Sequence, residues 1–381
     1  MKKFFNNFVI ISTITLILFI LVNYLITLTW PQYTKTKFKN YRPYSSEIIK
    51  QLKMNEEDAR KLYVETWIDR TFVYSQFLEH VEGPINGKFV NISKEFGRKV
   101  DNPKVCNKRF FLYGGSTTWG YSVADNQTIA AYLLKELINE SFIDYCVYNF
   151  GGGSYFSTQE NIRFQKHLLM NKIKKNDFVI FVDGHNESGF RKTRATDLLI
   201  ELFKPSNEKF WDMYKLTFPT FIKSLPVIQL SNRLLKKLSI DLDKNVSQAG
   251  SIKLIPDDLL SVYEKNINIR SSICKTENLN CYSFLQPFAT VHGIYFTTRD
   301  GVRLKEGDSI AGALEIGKIG DLNEELSAKY KVLKNAKGAI DISSALDSLT
   351  ELAWCDGAHY CPNANEMIAK KIFLEIKNNL N

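Results

Sequence analysis

Apolar positions fall into distinct textures along this chain. From Phe8 to Thr29 they form a nearly continuous, uncharged run dominated by Ile, Leu, Phe and Val, long enough to cross a bilayer as a helix. Between Met54 and Tyr74 they recur at roughly helical spacing, with Leu62, Trp67 and Ile68 among them, and Gly83-Pro84 and Asn86-Gly87 then mark turns. From residue 108 a regular rhythm begins. Arg109–Tyr113 reads as a buried strand, and Thr128–Ile138 as a helix with Asp125 and Asn126 as caps. Asp144–Phe150 is a second strand, Thr158–Met170 a helix, and Phe178–Val182 a third strand of continuous apolar character. Strands alternating with helices predict an α/β fold, with parallel pairing and helices on both faces of the sheet.

Residues 190–255 break the rhythm with aromatics, lysines and prolines in no repeat. They read as an insertion over the sheet edge where ligands bind in such folds. A helix near Asp257–Ile273, a strand Tyr282–Leu285 and a final helix from Pro362 to Leu380 resume the pattern, with Pro362 suited to a first helical turn. The expected organisation is therefore an anchor over 1–30, a helical lead-in over 31–105 that packs as an appendage, and one domain over 106–381.

Lys2 and Lys3 precede the apolar run as in a secretory signal, but no small-x-small cleavage site follows. The exit is Leu28-Thr29-Trp30-Pro31, with Trp30 suited to the interface. The segment reads as an uncleaved, single-pass anchor. Lys35, Lys37, Lys39 and Arg42 follow it, and counted alone they place the C-terminal side in the cytoplasm. The cysteines argue the other way. All six lie after the anchor (Cys106, Cys146, Cys274, Cys281, Cys355 and Cys361). Cys274 with Cys281 and Cys355 with Cys361 stand close enough to close short loops, and Cys106 and Cys146 begin two strands expected to be neighbours. About 15 pairings exist for six cysteines, and sequence alone does not choose among them. Bridges persist in oxidising compartments, so the expectation is an exported domain held at the cytoplasmic (inner) membrane; six reduced, buried thiols are the alternative.

The 381 residues suffice for a sizeable core, and 44% apolar with 13% aromatic content describes a folded chain. The net charge of +9 favours anionic partners. Lysines are interspersed with acids, however, and no reader motif or basic-aromatic patch points to nucleic acid. No Cys-x-x-Cys occurs and no His/Cys spacing suits zinc, so neither metal nor cofactor is expected.

Four short blocks carry the chemistry. Gly114-Gly115-Ser116-Thr117 ends the first strand, where glycines permit a sharp turn that exposes the next side chain. Asn149-Phe150-Gly151 through Gln159 follows the second strand, and Gly184-His185-Asn186-Glu187 the third. Asp356-Gly357-Ala358-His359 precedes the last helix. A carboxylate fixes the tautomer of an imidazole whose other nitrogen takes a serine proton, and one loop carries both groups here, bracketed by Cys355 and Cys361. Asn186, with backbone N–H groups of Ser116 and of the Gly153-Ser154 turn, supplies oxyanion donors. His185 is a competing base. Taken singly, each block reads as an ordinary polar turn; their conjunction points to acyl chemistry.

In order and spacing the blocks resemble the SGNH (GDSL-like) hydrolase superfamily over about residues 108–190 and 255–380. The resemblance implies a flavodoxin-like three-layer α/β/α fold, no metal, and hydrolysis or transfer of ester-linked acyl groups. By position, Ser116 matches the nucleophile, Asn186 the oxyanion asparagine, His359 the base and Asp356 its partner. Three positions depart from the pattern. Gly115 stands where aspartate is common, Ser154 where glycine donates a backbone N–H, so that Gly153 is the substitute donor, and Glu187 where aspartate is common.

Compartment and resemblance together make O-acetyl esters of cell-envelope polysaccharide the leading substrate class. Tyr155, Phe156, Tyr282, Phe284 and Gln286 are candidate pocket residues near predicted strand ends, with core packing as the competing role for each. An O-acyltransferase to a glycan would use the same catalytic residues, and a glycan-binding or assembly protein on a hydrolase-like fold is a non-enzymatic alternative. Phe203, Trp211, Phe218 and Phe221 in the insertion make a lipid-facing lid, and hence a lipid esterase, a further reading.

Overall fold

The computed structural model describes residues 2–39, 44–187, 218, 222, 225–228, 230–231, 258–287, 296–297, 303–304, 328–356 and 358–380. The expected insertion at 190–255 lies outside the described residues apart from the few positions between 218 and 231, as does Gly357 of the fourth block. Two compact units emerge: Met1–Tyr41 with Phe190–Ile252, and Arg42–Gly189 with Lys253–Asn381.

In the first unit, helix α1 (Lys2–Lys39) runs unbroken past the expected boundary at residue 30. Its Asn7–Leu28 stretch of 22 residues is apolar enough to cross a membrane. At 1.5 Å per residue it spans about 33 Å, close to the thickness of a hydrocarbon core. Four polar side chains along it bond to the helix itself: Thr13, Thr15, Asn23 and Thr27 each donate to the carbonyl four residues back.

The second unit is built on a sheet of eight strands. Ahead of the repeating pattern come α2 (Ser46–Leu52) and α3 (Glu56–Trp67), then β1 (Phe72–Ser75), β2 (Glu79–Glu82), β3 (Ile85–Asn86), β4 (Asn91–Ser93) and β5 (Gly97–Arg98). The repeating part is β6 (Lys108–Gly114), α4 (Ser116–Trp119), α5 (Ile129–Asn139), β7 (Tyr145–Asn149), α6 (Ser157–Leu169), β8 (Phe178–Asp183), α7 (Leu259–Glu277) and β9 (Asn280–Leu285). The short ribbon β10 (Phe296–Thr297) and β11 (Arg303–Leu304), strand β12 (Ile340–Asp341) and helix α8 (Pro362–Ile376) complete it.

Across the sheet the order is β12-β9-β8-β6-β7-β5-β4-β3. The first five pair in parallel and the last three are added antiparallel at the β7 edge. Alternation along β6 explains the layers. Phe110 and Leu112 pack with residues of α5 and α8 on one face, while Phe111 and Tyr113 pack with Phe164 of α6 and Cys274 of α7 on the other. Completely burying such side chains contributes about 2 kcal/mol each. From β6 the chain moves to β7 on one side and then crosses to β8 on the other, so a topological switch point, with its crevice, lies at the C-terminal end of β6.

The expected helical lead-in needs correction. Ser46–Leu52 and Glu56–Trp67 are helical, but Phe72–Arg98 forms five strands, and β3–β5 extend the central sheet. These strands are two to four residues long, too short to show alternation in sequence. Nor is the segment an appendage: Tyr44, Ile48, Leu52, Ala59, Leu62, Val90 and Ile92 share one core with Trp119, Tyr121, Cys355 and Cys361. Helix α5 is capped by Thr128, whose hydroxyl accepts from Ala131 N at 3.2 Å. Asp125–Gln127, the expected cap region, forms a separate 3₁₀ turn.

Candidate active site

Ser116 opens α4 immediately after β6, at the switch point. Gly115 is required there by a close approach: a Cβ on it would stand 2.4 Å from Asn186 Nδ2 and 3.1 Å from the Tyr155 carbonyl. Asn149, at the end of β7, ties the neighbouring loop to helix α4. Its Nδ2 donates to Thr118 O at 2.9 Å, and its Oδ1 accepts from Gly151 N at 3.0 Å.

Ser116, His359 and Asp356 stand in one hydrogen-bonded file. His359 Nε2 is 2.9 Å from Ser116 Oγ, and His359 Nδ1 is 2.8 and 2.9 Å from the two oxygens of Asp356. Asp356 Oδ1 also accepts the backbone N–H groups of Ala358 and His359, each at 2.9 Å, and Oδ2 accepts the Ser122 hydroxyl at 2.9 Å. Burial pushes the Asp356 carboxyl up, but the imidazole charge and these donors outweigh it and leave the net shift downward. The acid therefore stays ionised beside its histidine. Cys355–Cys361 is a disulfide and brackets the pair, and Cys355 N donates to His359 O at 2.8 Å across the same loop. The other bridges are Cys106–Cys146 and Cys274–Cys281; among the described residues no free cysteine remains.

It is His359, not His185, whose ring nitrogen is within hydrogen-bond distance of Ser116 Oγ among the described contacts. His185 is pushed down to about 3, by burial first and then by Lys329 and His359, so it is neutral at ordinary pH, and its carbonyl accepts from Lys329 Nζ at 3.1 Å.

The oxyanion donors need one correction. Gly153 N does not face the serine: it donates to Glu82 Oε1 at 2.9 Å, and the Gly153 carbonyl lies 2.9 Å from His80 Nε2. Strand β2 thus occupies this peptide on both sides. Ser154 has φ of 62°, the left-handed region that favours glycine, and its side chain is exposed. Asn186 Nδ2 donates to Tyr155 O at 2.8 Å and lies against Gly115.

Tyr155 and Gln286, read from sequence as pocket residues, are 1% exposed and serve inside the protein. The Tyr155 hydroxyl donates to His80 O. Gln286 Oε1 accepts from Thr117 Oγ1 at 2.7 Å and from Tyr360 OH at 3.3 Å. Gln286 directly follows β9 as expected, whereas Tyr155 lies in the loop between β7 and α6; the polar ends of both turn inward because buried partners are within reach. Phe284 is likewise buried in the core.

Glu187 is also structural. Its carboxylate accepts Ser157 N at 2.6 Å and Ser157 Oγ at 2.8 Å, joining the third loop to the start of α6. Asp183 accepts from Arg270 Nη1 at 2.7 Å and from the Tyr263 hydroxyl, and Glu160 lies 3.8 Å from the same guanidinium. Three buried carboxylates around one arginine resist simultaneous ionisation; burial and then Asp183 push Glu187 up to about 7.

Sequence reasoning missed several neighbours that come from the lead-in. Trp67 packs edge-on against the His359 ring with centroids 5.6 Å apart, and Tyr121 lies 4.9 Å from it. The Tyr121 hydroxyl donates to Glu82 Oε1 at 2.9 Å. Beneath helix α4, the buried Arg98 guanidinium donates to the carbonyls of Trp119, Gly120 and Val123 and to Asp125 Oδ1, and stacks 4.2 Å from the Trp119 ring. No local signal marks Arg98, since its partners lie more than 20 residues onward.

Among the described residues a cavity of about 690 Å³ lies beside the added strands, lined by Ile85, Phe96, Asn102 and Tyr148 among others. None of Ser116, Asn186, Asp356 and His359 borders it.

No family model and no curated protein matches the sequence. Among solved structures, the chain is similar to a lipase/acylhydrolase from Enterococcus faecalis, at 13% identity and TM-score 0.34, covering 72% of this chain and 97% of that one. A member of the lipolytic G-D-S-L family from Veillonella parvula matches at 11% identity and TM-score 0.34, covering 72% and 100%. A catalytic mutant of an acetylxylan esterase from Geobacillus stearothermophilus matches at 14% identity and TM-score 0.34, covering 71% and 95%.

Proposed function

We propose that this chain is a serine-dependent acyl ester hydrolase of the SGNH (GDSL-like) type, held at a membrane by α1 with its catalytic unit in an oxidising, extracytoplasmic compartment. Its substrate class is an O-acetylated cell-envelope polysaccharide. The observation that carries the reading is the file from Ser116 Oγ through His359 to Asp356, with 2.9 and 2.8 Å contacts. The three disulfides support the compartment.

In this mechanism Ser116 Oγ attacks the ester carbonyl while His359 Nε2 takes its proton. Ionised Asp356 holds Nδ1–H and stabilises the imidazolium. The oxyanion that forms is met by the Ser116 backbone N–H, the Asn186 amide and the Ser154 backbone N–H, the last replacing the donor that Glu82 removes at Gly153. Collapse expels the sugar alkoxide, which receives the proton from His359. Water, deprotonated by the same imidazole, then attacks the acyl carbon; the bond to Ser116 Oγ breaks as His359 returns the proton to it, and the carboxylic acid is released.

The test is labelling by a fluorophosphonate and turnover of an aryl acetate. Wild-type protein should do both and Ser116→Ala neither; absence of both in wild-type protein would leave only the glycan-binding reading. Acetate released into solution, as opposed to acetate appearing on an added glycan acceptor, separates hydrolase from O-acyltransferase.

A further inference from the structure

The anchor helix holds a second segment of the chain. Among the described side chains of Asn7–Leu28, every residue is exposed except Asn23 and Ile26, which stand three apart on one helix face. Asn23 carries the reason: its Nδ2 donates to Phe19 O at 2.9 Å, while its Oδ1 accepts the backbone N–H of Val227 at 3.2 Å. A polar amide in an apolar span is costly unless partnered, and this partner comes from 204 residues away.

The segment it holds is itself apolar. Phe218 and Leu230 are exposed, and Ile222, Leu225, Val227 and Ile228 are only partly covered. Positions 226–228, 230 and 231 are helical, and Ser231 Oγ donates to Ile228 O at 2.9 Å, a self-satisfied hydroxyl of the kind seen along α1. In sequence, Lys223 stands among the apolar positions and Arg233 follows them. The depth also agrees. Asn23 lies five residues inside Leu28, the end of the span, or about 7.5 Å below the boundary at 1.5 Å per residue. Interfacial segments bury their apolar face about 5–10 Å.

We propose that the segment bearing Leu225–Ile228, Leu230 and Ser231 is an interfacial membrane element, docked on α1 through Asn23, whose partner is a bilayer with anionic headgroups. The proposal rests on α1 spanning the membrane and is independent of the esterase chemistry.

The test uses the full chain in phosphatidylcholine vesicles containing phosphatidylglycerol. Because the native cysteines are paired, Leu230→Cys and, separately, Leu16→Cys give single sites for a bimane fluorophore. Both probes should be quenched by lipids spin-labelled near the glycerol backbone or on the acyl chain, and protected from aqueous iodide. Adding Asn23→Leu should shift the Leu230 site toward iodide and leave the Leu16 site unchanged. A Leu230 site quenched by iodide alone, or insensitive to Asn23→Leu, overturns the proposal. A Leu16 site open to iodide overturns it together with the anchor reading, whereas aryl acetate turnover reports separately on the active site.

Discussion

Replacing both Cys355 and Cys361 by alanine asks what holds the acid and base in place. The bridge closes a loop of six-residue separation. In the chain-entropy account, removing it frees the unfolded state by about 2 kcal/mol. For a unit of this size that corresponds to a Tm lower by roughly 4–8 °C. The folded loop keeps other ties: Cys355 N to His359 O and Cys361 N to Ala353 O, both at 2.8 Å, with three donors on Asp356 from Ala358, His359 and Ser122. At about 1 kcal/mol each these five hydrogen bonds hold the loop shut by about 5 kcal/mol. Subtracting about 2 kcal/mol from that still leaves the closed loop dominant. The double variant should therefore melt earlier, yet turn over an aryl acetate at about 25 °C within about twofold of wild type. Calorimetry and steady-state kinetics on the same preparation check it. A hundredfold fall in kcat with an unchanged Tm would refute the reasoning, because the disulfide alone would then be holding His359 against Ser116.

Three further outcomes follow from the site. Asn186→Ala should lower kcat about 10²- to 10³-fold with KM little changed, the signature of a lost oxyanion donor; a change in KM alone would argue for a binding role. Arg98→Met should cost about 3–5 kcal/mol by stranding Asp125 and three carbonyls, visible as a large drop in Tm that Arg98→Lys only partly restores, since an ammonium cannot fork to all four acceptors. Glu187 is raised from 4.5 to about 7 in the folded state; its contribution to stability is complete below pH 4.5 and lost as pH rises to about 7. Asp356, shifted downward, has the opposite sign and loses its contribution only as pH falls through its folded value. Glu187→Gln should accordingly flatten the stability profile between about pH 4.5 and 7 while leaving the acid limb intact, as measured by Tm against pH.

The parallel core was legible because its strands are buried on both faces and read as continuous apolar runs, as Phe178–Val182 does. The β3–β5 extension was not, since two- and three-residue strands leave no periodicity. At the site, Asp356 and His359 are three apart and announce themselves, and Ser116 follows its glycines. What escaped is contact between distant segments. Ser122 reaches Asp356 across 234 positions, Trp67 meets His359 from the far end of α3, and Glu82 takes the Gly153 N–H. Gln286 shows the converse: its place after β9 can be read from sequence, but whether its polar tip turns toward solvent depends on which partners happen to lie behind it.

The shared core of Tyr44, Leu62, Trp119 and Cys361 bears on where the molecule can be cut. A cut that leaves this core whole has to fall ahead of Tyr44. Trimming to the start of the repeating pattern near residue 106 would discard Arg98 and Trp67 and leave the floor and one wall of the reaction centre behind.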